Sequence, residues 1–228
     1  MIKEKATIQL TDDFSMKNLG PVLIYGNKDS GKSKLLNKIA IQLTNKGVKV
    51  HYLTRKLINE EQMVKIKITC KDVTDTVQAF QEEMMSRFRL LEEEQENDIF
   101  KLNTPLEEKA LIIDDLTDYL LDADRKSVEE LQKSLGAIVR LGRAVGMYII
   151  VSINKTISSD LQVNFLNKII LGSFDTYRMI QIFDISLDET NSILPEGEYE
   201  APNEIGSYLD LFEAKLVHFN INDIDKYD

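Results

Sequence analysis

An eight-residue glycine-rich segment constrains the fold of this chain more than any other feature. The segment reads Gly26-Asn27-Lys28-Asp29-Ser30-Gly31-Lys32-Ser33 and fits the pattern G-x-x-x-x-G-K-[ST]. An apolar run at 22–25 precedes it, and an amphipathic helical pattern that ends near Gly47 follows it. A loop between a buried strand and a helix presents backbone N–H groups and the helix N-terminus to phosphate oxygens. The sequence therefore predicts that residues 26–33 form a phosphate-binding loop in a nucleotide-binding α/β fold.

Apolar strand patterns alternate with amphipathic helical patterns along the 228 residues. We predict strands at 22–25, 48–53, 66–69, 110–113, 147–153 and 169–171, and long helices at 72–92 and 125–145. Continuous apolar strands separated by helices predict a mostly parallel central sheet that helices flank on both faces. Residues 207–212 and 214–219 predict a terminal β-hairpin, and residues 6–10 an extra edge strand. We expect a single domain over 1–228.

Composition restricts the class of function. The chain has 38 acidic and 28 basic residues, a net charge of -10, whereas proteins that wrap nucleic acid are usually basic. Cys70 is the only cysteine, so neither an intramolecular disulfide nor a cysteine zinc site is possible. His51 and His218 form no motif and are interpreted as strand residues. No apolar run approaches the ~20 residues of a membrane span, so we expect a soluble, cytosolic chain.

Polar residues that follow two other predicted strands would complete a nucleotide site. Lys32 would place its charge on the β- and γ-phosphates, and the Ser33 hydroxyl would bind Mg²⁺. Asp114 and Asp115 follow an apolar strand at its carboxyl end, where open α/β sheets bind ligands. We interpret Asp114 as a Mg²⁺ ligand and Asp115 as the residue that orients or deprotonates water. Asn154 is either a γ-phosphate sensor or simply a turn residue.

With these elements placed, residues 18–220 resemble the FtsK/SpoIIIE-type P-loop motor ATPases. The resemblance includes a helix motif at 84–91, Met-Met-Ser-Arg-Phe-Arg-Leu-Leu, and the segment Gly-Arg-Ala-Val-Gly-Met at 142–147. Residues 172–178, Gly-Ser-Phe-Asp-Thr-Tyr-Arg, stand where the family often carries Ser-x-x-Asp-Ser-Arg. The resemblance implies a RecA/FtsK-like fold that uses ATP and Mg²⁺.

Within that family the chain is most similar to the C-terminal ATPase modules of type VII secretion coupling proteins (EssC/EccC). The similar segments are Asn-Leu-Gly-Pro-Val-Leu-Ile-Tyr-Gly at 18–26, Leu-Pro-Glu-Gly at 194–197 and Gly-Ser-Tyr at 206–208. The resemblance implies a module of a membrane-anchored, multi-ATPase protein on the cytoplasmic side of the membrane. Its implied partners are sibling ATPase modules, in a ring such as a hexamer, and secreted helical effector proteins.

The chain departs from the family at two site residues. Active motors follow the strand aspartate with Glu, whereas this chain has Asp115, whose carboxylate stops about 1.5 Å short. Asn154 is likewise shorter than the family's sensor Gln. Since a misplacement of about 1 Å can cost ~100-fold in rate, we predict nucleotide binding with weak or absent hydrolysis. Rings of such motors complete each site with an arginine from a neighbouring subunit, for which Arg143 is the first candidate and Arg87 the second.

Two other functions remain open at this point. A DNA translocase shares the fold, but the net charge, the acidic tail at 222–228 and the lack of a basic loop with interleaved aromatics make DNA a disfavoured partner. A pseudo-ATPase that docks a substrate or a sibling domain is compatible with Asp115. A pseudo-ATPase would bind nucleotide without hydrolysing it, so a measurement of ATP turnover distinguishes it from a motor.

Overall fold

The structure of the chain is a computed structural model. It describes residues 6–11, 15–16, 19–55, 67–69, 73–194, 198–210 and 215–227.

Twelve strands and seven α-helices make up the described part of the chain. The strands are β1 (Ile8–Gln9), β2 (Ser15–Met16), β3 (Val22–Gly26), β4 (Lys49–Leu53), β5 (Lys67–Thr69), β6 (Lys109–Ile113), β7 (Met147–Ile153), β8 (Asn167–Leu171), β9 (Phe174–Asp175), β10 (Glu198–Tyr199), β11 (Ile205–Asp210) and β12 (Lys215–Asn220). The helices are α1 (Lys32–Asn45), α2 (Val73–Glu94), α3 (Leu116–Asp122), α4 (Arg125–Leu141), α5 (Ser159–Gln162), α6 (Thr176–Phe183) and α7 (Leu187–Ile193). Short 3-10 helices cover Gly142–Val145 and Ile221–Tyr227.

Eight of the strands form one sheet in the order β12-β11-β8-β3-β7-β6-β4-β5. The six strands from β8 to β5 are parallel, whereas β11 pairs antiparallel with both β8 and β12. The predicted parallel sheet with a β-hairpin is therefore confirmed. The short pairs β1–β2 and β9–β10 form separate two-stranded sheets.

Helices bury both faces of the sheet, which explains why β3 and β7 are apolar at almost every position. On one face, α2 and α4 pack around Val77, Met84 and Leu135. On the other face, Leu35, Ile39 and the rest of the apolar side of α1 pack against the sheet. The apolar residues whose periodicity predicted α1, α2 and α4 are therefore the residues that form the two layers of the core.

Three boundaries differ from the sequence prediction. Residues 6–10 do not extend the large sheet, because Ile8 and Gln9 pair with Met16 and Ser15 instead. The predicted helix 125–145 changes after Leu141 into the 3-10 helix, which ends at Gly146 in a left-handed conformation (φ 66°). The hairpin strands begin at 205 and 215 rather than at 207 and 214, and the hairpin turn at 211–214 lies outside the described residues.

Both histidines lie in strands, as predicted, with His51 in β4 and His218 in β12. Some residues used in the sequence analysis lie outside the described residues. One is Cys70, the cysteine of the single-cysteine argument. The others are Asn18 and residues 195–197, which carry part of the resemblance to secretion modules.

Candidate nucleotide site

The predicted phosphate loop connects β3 to α1, as the motif requires. The chain turns sharply in it because Asp29 (φ 62°) and Gly31 (φ 92°) adopt the left-handed region that glycine enters without strain. A Cβ on Gly31 would lie 2.9 Å from Ile221 Cδ1, so a larger residue would also collide with the segment that follows β12. Gly31 is the N-cap residue of α1 and bears no capping side chain, which leaves the helix N-terminus to a ligand.

Lys32 is the charged centre of the loop. Its side chain is 5% exposed, and Nζ donates hydrogen bonds of 2.8 Å to the carbonyl oxygens of both Gly26 and Asn27. The ammonium is thus held over the loop by the loop's own backbone. An anionic phosphate oxygen can replace these carbonyls, because it offers the ammonium an opposite charge as well as a hydrogen-bond acceptor.

Asp114 continues the line of β6 and is 4% exposed. Its N–H donates to Leu53 O at 2.9 Å, which extends the parallel ladder with β4. Its carboxylate accepts hydrogen bonds from Ser152 Oγ (3.1 Å) and Thr54 Oγ1 (3.5 Å), which lie after or within the two strands that flank β6. These two uncharged hydroxyls hold the Asp114 carboxylate in place at the end of β6.

Asp115 begins α3 in a left-handed conformation (φ 62°, ψ 61°) and is 8% exposed. Its backbone N–H donates to Ser152 Oγ at 2.8 Å, and its Oδ2 accepts from Asn154 Nδ2 at 3.2 Å. Asn154 is itself fixed, because its N–H donates to Thr117 Oγ1 at 3.1 Å. Asn154 Oδ1 is buried without a hydrogen-bond partner in the described part of the chain, so it can accept a hydrogen bond from water or substrate.

The sheet brings the loop, the two aspartates and Asn154 to one edge. Strand β7 lies between β3 and β6, with Tyr25 opposite Ile153 and Ile113 opposite Val151. Neighbouring strands are about 4.8 Å apart, so the carboxyl ends of β3 and β6 lie about 10 Å apart across β7. That separation spans the outer phosphates of a nucleotide and a divalent cation.

The residues at this edge fit Mg²⁺. The cation prefers one or two protein oxygens, substrate phosphates and water to a cage of protein ligands. Ser33 and Asp114 supply a hydroxyl and a carboxylate, and the described residues contain no cluster of three or more His, Cys, Asp or Glu that would bind a different metal.

The structure separates the two arginine candidates. Arg87 is 5% exposed, donates to Val145 O at 3.0 Å and pairs with Glu83 at 2.9 Å, so it joins α2 to the 3-10 helix. These contacts support a structural role for Arg87, as a link between the helix and the 3-10 helix, rather than a catalytic role in a neighbouring site. Arg143 is half-buried and precedes β7, at the opposite edge of the sheet from Gly26. It cannot serve the site of its own chain, so its role in a neighbouring site stays a prediction.

Sequence reasoning missed the hydroxyls of Thr54, Thr117 and Ser152. They stand inside or beside strands and helices without a motif, and only the strand order shows that they surround the aspartates. It also missed a cluster beside the loop: Lys34 Nζ lies 2.7 Å from Glu204 Oε1 and 2.6 Å from Asn222 Oδ1. These contacts attach α1 to Glu204, which precedes β11, and to Asn222, two residues after β12 ends.

The segment at 172–178 is placed beside the phosphate loop. Asp175 caps α6 by accepting from Arg178 N at 2.7 Å. The guanidinium of Arg178 lies 4.6 Å from the ring centroid of Tyr25, which directly precedes the loop. Burial raises the pKa of Tyr25, and the nearby Arg178 charge partly opposes that rise. The segment therefore packs against the end of β3.

Comparisons by sequence and by structure give different results. No protein-family model matches the chain, and no curated protein matches it by sequence. The pCW3 conjugation coupling protein TcpA, in its monomer form with ATPγS, matches by structure with a TM-score of 0.74 and 17% identity, over 97% of this chain and 69% of TcpA. The cytoplasmic domain of the Thermomonospora curvata type VII secretion ATPase EccC matches with a TM-score of 0.66 and 16% identity.

The match to EccC covers 95% of this chain but 28% of the EccC chain, so this chain spans about a quarter of that structure. B204, the DNA-packaging ATPase of Sulfolobus turreted icosahedral virus, matches with a TM-score of 0.55 and 13% identity, over 88% of this chain and 97% of B204. At these identities the likeness concerns the fold. The predicted fold is confirmed: the chain has the mostly parallel α/β fold that the resemblance to FtsK/SpoIIIE-type ATPases implied, and it shares this fold with the three ATPases named above.

Proposed function

We propose that this chain is an ATP-binding motor module of a protein-secretion coupling ATPase, with slow or no hydrolysis when isolated. The observation that carries the proposal is the alignment of the phosphate loop, Asp114, Asp115 and Asn154 along one edge of the sheet. The structural neighbours support an ATPase motor, since TcpA was solved with ATPγS and EccC is a secretion ATPase. Bound Mg²⁺ would screen the phosphate charge and hold the outer phosphates in place.

The residues predicted to bind the phosphates, Mg²⁺ and the attacking water each have a role in the proposal. Backbone N–H groups of residues 26–33 and Lys32 bind the phosphates, and Ser33 with Asp114 binds Mg²⁺. Asp115 and Asn154 hold the water that attacks. Since Asn154 Nδ2 already donates to Asp115 Oδ2, the carboxylate is restrained laterally as well as being short. This restraint supports the slow hydrolysis.

The partners and place of the module are inferred from the same likeness. EccC ATPases 2 and 3 from T. curvata were solved with a signal sequence peptide. We infer that this module acts with sibling ATPase modules, in a ring such as a hexamer, on secreted helical proteins. We also infer that residues 1–228 form one domain at the cytoplasmic side of a membrane, within a longer membrane-anchored protein. No helix in the described ranges is both long and apolar enough to cross a bilayer.

Nucleotide binding is tested by titration with ATPγS and Mg²⁺ in a calorimeter. Lys32→Ala is expected to abolish measurable binding, because the loop then lacks its charge at the β- and γ-phosphates. Lys133→Ala, an exposed lysine of α4, is the matched control and is expected to bind like the wild type. Micromolar binding by Lys32→Ala would contradict the phosphate-site assignment.

Hydrolysis is tested by steady-state phosphate release. The wild type is expected to turn over far below ~10 per second, the rate of an ordinary enzyme, and a value above it refutes slow hydrolysis. Asp115→Glu is expected to raise the rate about tenfold or more, because the carboxylate then extends one methylene towards the water. Binding without turnover in both proteins would favour the pseudo-ATPase function, for which Asp115 is the supporting residue.

A DNA translocase is the second candidate, and the fold of B204 favours it. The net charge of -10 opposes it. An electrophoretic shift of double-stranded DNA at low salt that disappears as salt rises would support the DNA function over protein transport.

A further inference from the structure

Glu204, the residue before β11, lies directly against the phosphate loop. Its backbone N–H donates to Ser30 O at 3.2 Å, and its carbonyl oxygen accepts from Ile221 N at 2.9 Å. Ser30 belongs to the loop, and Ile221 is the first residue after β12. These two hydrogen bonds therefore join the loop to the start of β11 and to the segment that follows β12.

The side chain of Glu204 adds a second set of contacts. Its Oε1 accepts from Lys34 Nζ at 2.7 Å, and its Oε2 accepts from Asn222 Nδ2 at 3.0 Å. Lys34 Nζ also donates to Asn222 Oδ1 at 2.6 Å, so each of the three side chains is bonded to the other two. The hydrogen bonds from Lys34 and Asn222 lower the pKa of Glu204, which is therefore ionised at neutral pH.

The backbone of Glu204 has a conformation that is uncommon for its residue type. Its φ is 74°, in the left-handed region, where a Cβ comes too close to neighbouring backbone atoms. Such a conformation persists only where the surrounding contacts impose it, and it is found disproportionately at functional sites. The hydrogen bonds to the loop and to α1 are contacts of that kind.

Glu204 and Ile221 also cover the backbone of Gly31. An added Cβ on Gly31 would lie 3.4 Å from Glu204 Cγ, besides its closer approach to Ile221 Cδ1. Ile221 is 0% exposed, so it has little room to yield. The loop thus cannot move towards these residues, and the hydrogen bond at Ser30 O opposes its movement away from them. A loop held in one conformation loses less entropy when it binds a ligand.

The negative charge of Glu204 has the opposite effect on a phosphate ligand. The carboxylate repels phosphate oxygens, and it pairs with a lysine that would otherwise attract them. If charge alone mattered, removal of the carboxylate would tighten nucleotide binding. If the carboxylate instead holds the loop in shape, its removal weakens binding. The two effects of Glu204 therefore differ in sign.

We propose that Glu204 is a positioning residue, whose backbone and carboxylate hold the phosphate loop in the conformation that binds a nucleoside triphosphate. The inference rests on the proposed nucleotide function. When the carboxylate is lost, a fraction of the molecules has a loop that cannot bind, and the apparent Kd rises in inverse proportion to the competent fraction. A partly exposed ion pair contributes little energy, so the expected change is a few-fold rather than a complete loss.

The experiment measures the Kd for ATPγS with Mg²⁺ by calorimetry in two variants that remove the same charge. Glu204→Ala removes every side-chain contact and is expected to raise the Kd about fivefold. Glu204→Gln keeps an oxygen that can accept from Lys34 Nζ, so its Kd is expected to stay within about twofold of wild type. Asp184→Ala is the matched control, because Asp184 is likewise acidic and left-handed (φ 59°) but lies at the end of α6.

A Kd of Glu204→Ala at least threefold above that of Glu204→Gln supports the proposal. A smaller ratio, or a Kd for Glu204→Ala at or below the wild-type value, overturns it, because charge alone then accounts for the effect. The urea midpoint of Glu204→Ala is expected to stay near wild type, which separates a change in the loop from a loss of the fold.

Hydrogen exchange without nucleotide tests the state of the loop directly. The N–H groups of Ser30 and Leu35 donate to Asn27 O (3.3 Å) and Gly31 O (2.9 Å), so their exchange rates report local opening of the loop and of the first turn of α1. Both rates are expected to rise in Glu204→Ala and not in Asp184→Ala, while the amides of β7 stay unchanged. Equal rates in Glu204→Ala and wild type would overturn the proposal.

The two measurements also separate this inference from the proposed function. A wild-type protein that does not bind ATPγS refutes the nucleotide function, and the exchange rates alone then support or overturn the role of Glu204 in holding the loop. Binding by the wild type together with equal affinities of the two Glu204 variants leaves the nucleotide function intact and overturns the positioning role.

Discussion

Ser152 provides the sharpest test of the site's architecture, because one buried hydroxyl serves both aspartates. Its Oγ accepts from Asp115 N at 2.8 Å and donates to Asp114 Oδ1 at 3.1 Å, and the residue is 0% exposed. Ser152→Ala removes both bonds while it changes the volume of the core very little. Any loss of stability therefore reports hydrogen bonding rather than packing.

The expected magnitude follows from the two lost bonds. A hydrogen bond to a charged group contributes about 1.5–3 kcal/mol, and an unsatisfied buried N–H costs about 1–3 kcal/mol. Allowing for partial relaxation, we expect Ser152→Ala to lower the free energy of unfolding by about 2–5 kcal/mol. This is a large part of the ~5–15 kcal/mol typical of a domain.

Urea unfolding followed by circular dichroism measures this loss. With a slope of about 2–3 kcal/mol/M, the midpoint is expected to fall by about 1–2 M. Ser134→Ala is the control, since Ser134 is also buried (6% exposed), lies on α4 and has no hydrogen bond that the structure records for the described residues. Its midpoint is expected to remain near the wild-type value. A Ser152→Ala midpoint within 0.2 M of wild type, about 0.5 kcal/mol, would refute this reasoning.

Three other outcomes are expected. Burial alone would raise the pKa of Glu83, but the hydrogen bonds and charges of Lys109 and Arg87 outweigh burial and lower it. Ionised Glu83 therefore stabilises the fold at any pH above its unfolded pKa. This contribution is lost as the pH falls through the lowered folded pKa. Glu83→Gln should therefore be less stable than wild type at pH 7, and the gap in urea midpoint should shrink between pH 5 and pH 3; a constant gap would contradict this. Gly206→Ala should cost about 1–3 kcal/mol by the same assay, because the added Cβ collides with the buried Phe219 ring, and an unchanged midpoint would show that the ring moves freely. Lys168→Met should raise the unfolding midpoint, because burial lowers the pKa of Lys168 and so disfavours the charge that the substitution removes, and a lowered midpoint would contradict this.

The sequence was most informative where one local signal determined both the fold and the chemistry. Gly31 and Lys32 together predicted the turn, the start of the helix and the phosphate loop. Continuous apolar runs without alternating polar residues predicted the strands of a parallel sheet. The aspartates could be placed because parallel strands end at a common edge. What the sequence did not contain was the lateral order of strands, so it could not show that Thr54 and Ser152 flank Asp114.

Short elements were also beyond sequence reasoning. Helices α6 and α7 are eight and seven residues long, and their caps, Asp175 and Ser186, are residue types common in any turn. Residues 8–9 pair with residues 15–16 in a separate two-stranded sheet, and an apolar run alone does not distinguish such a pair from an edge strand of the large sheet.

Strand β8 separates its amino end from the phosphate loop firmly enough that substitutions at one end should not affect the other. It is hydrogen-bonded on one side to β3 and on the other to β11, so it cannot slide without breaking two ladders at once. Substitutions around Lys168 and in the phosphate loop should then have additive effects, as is usual for sites more than ~7–10 Å apart without shared partners. A substitution at the amino end of β8 is therefore expected to leave the affinity for nucleotide unchanged.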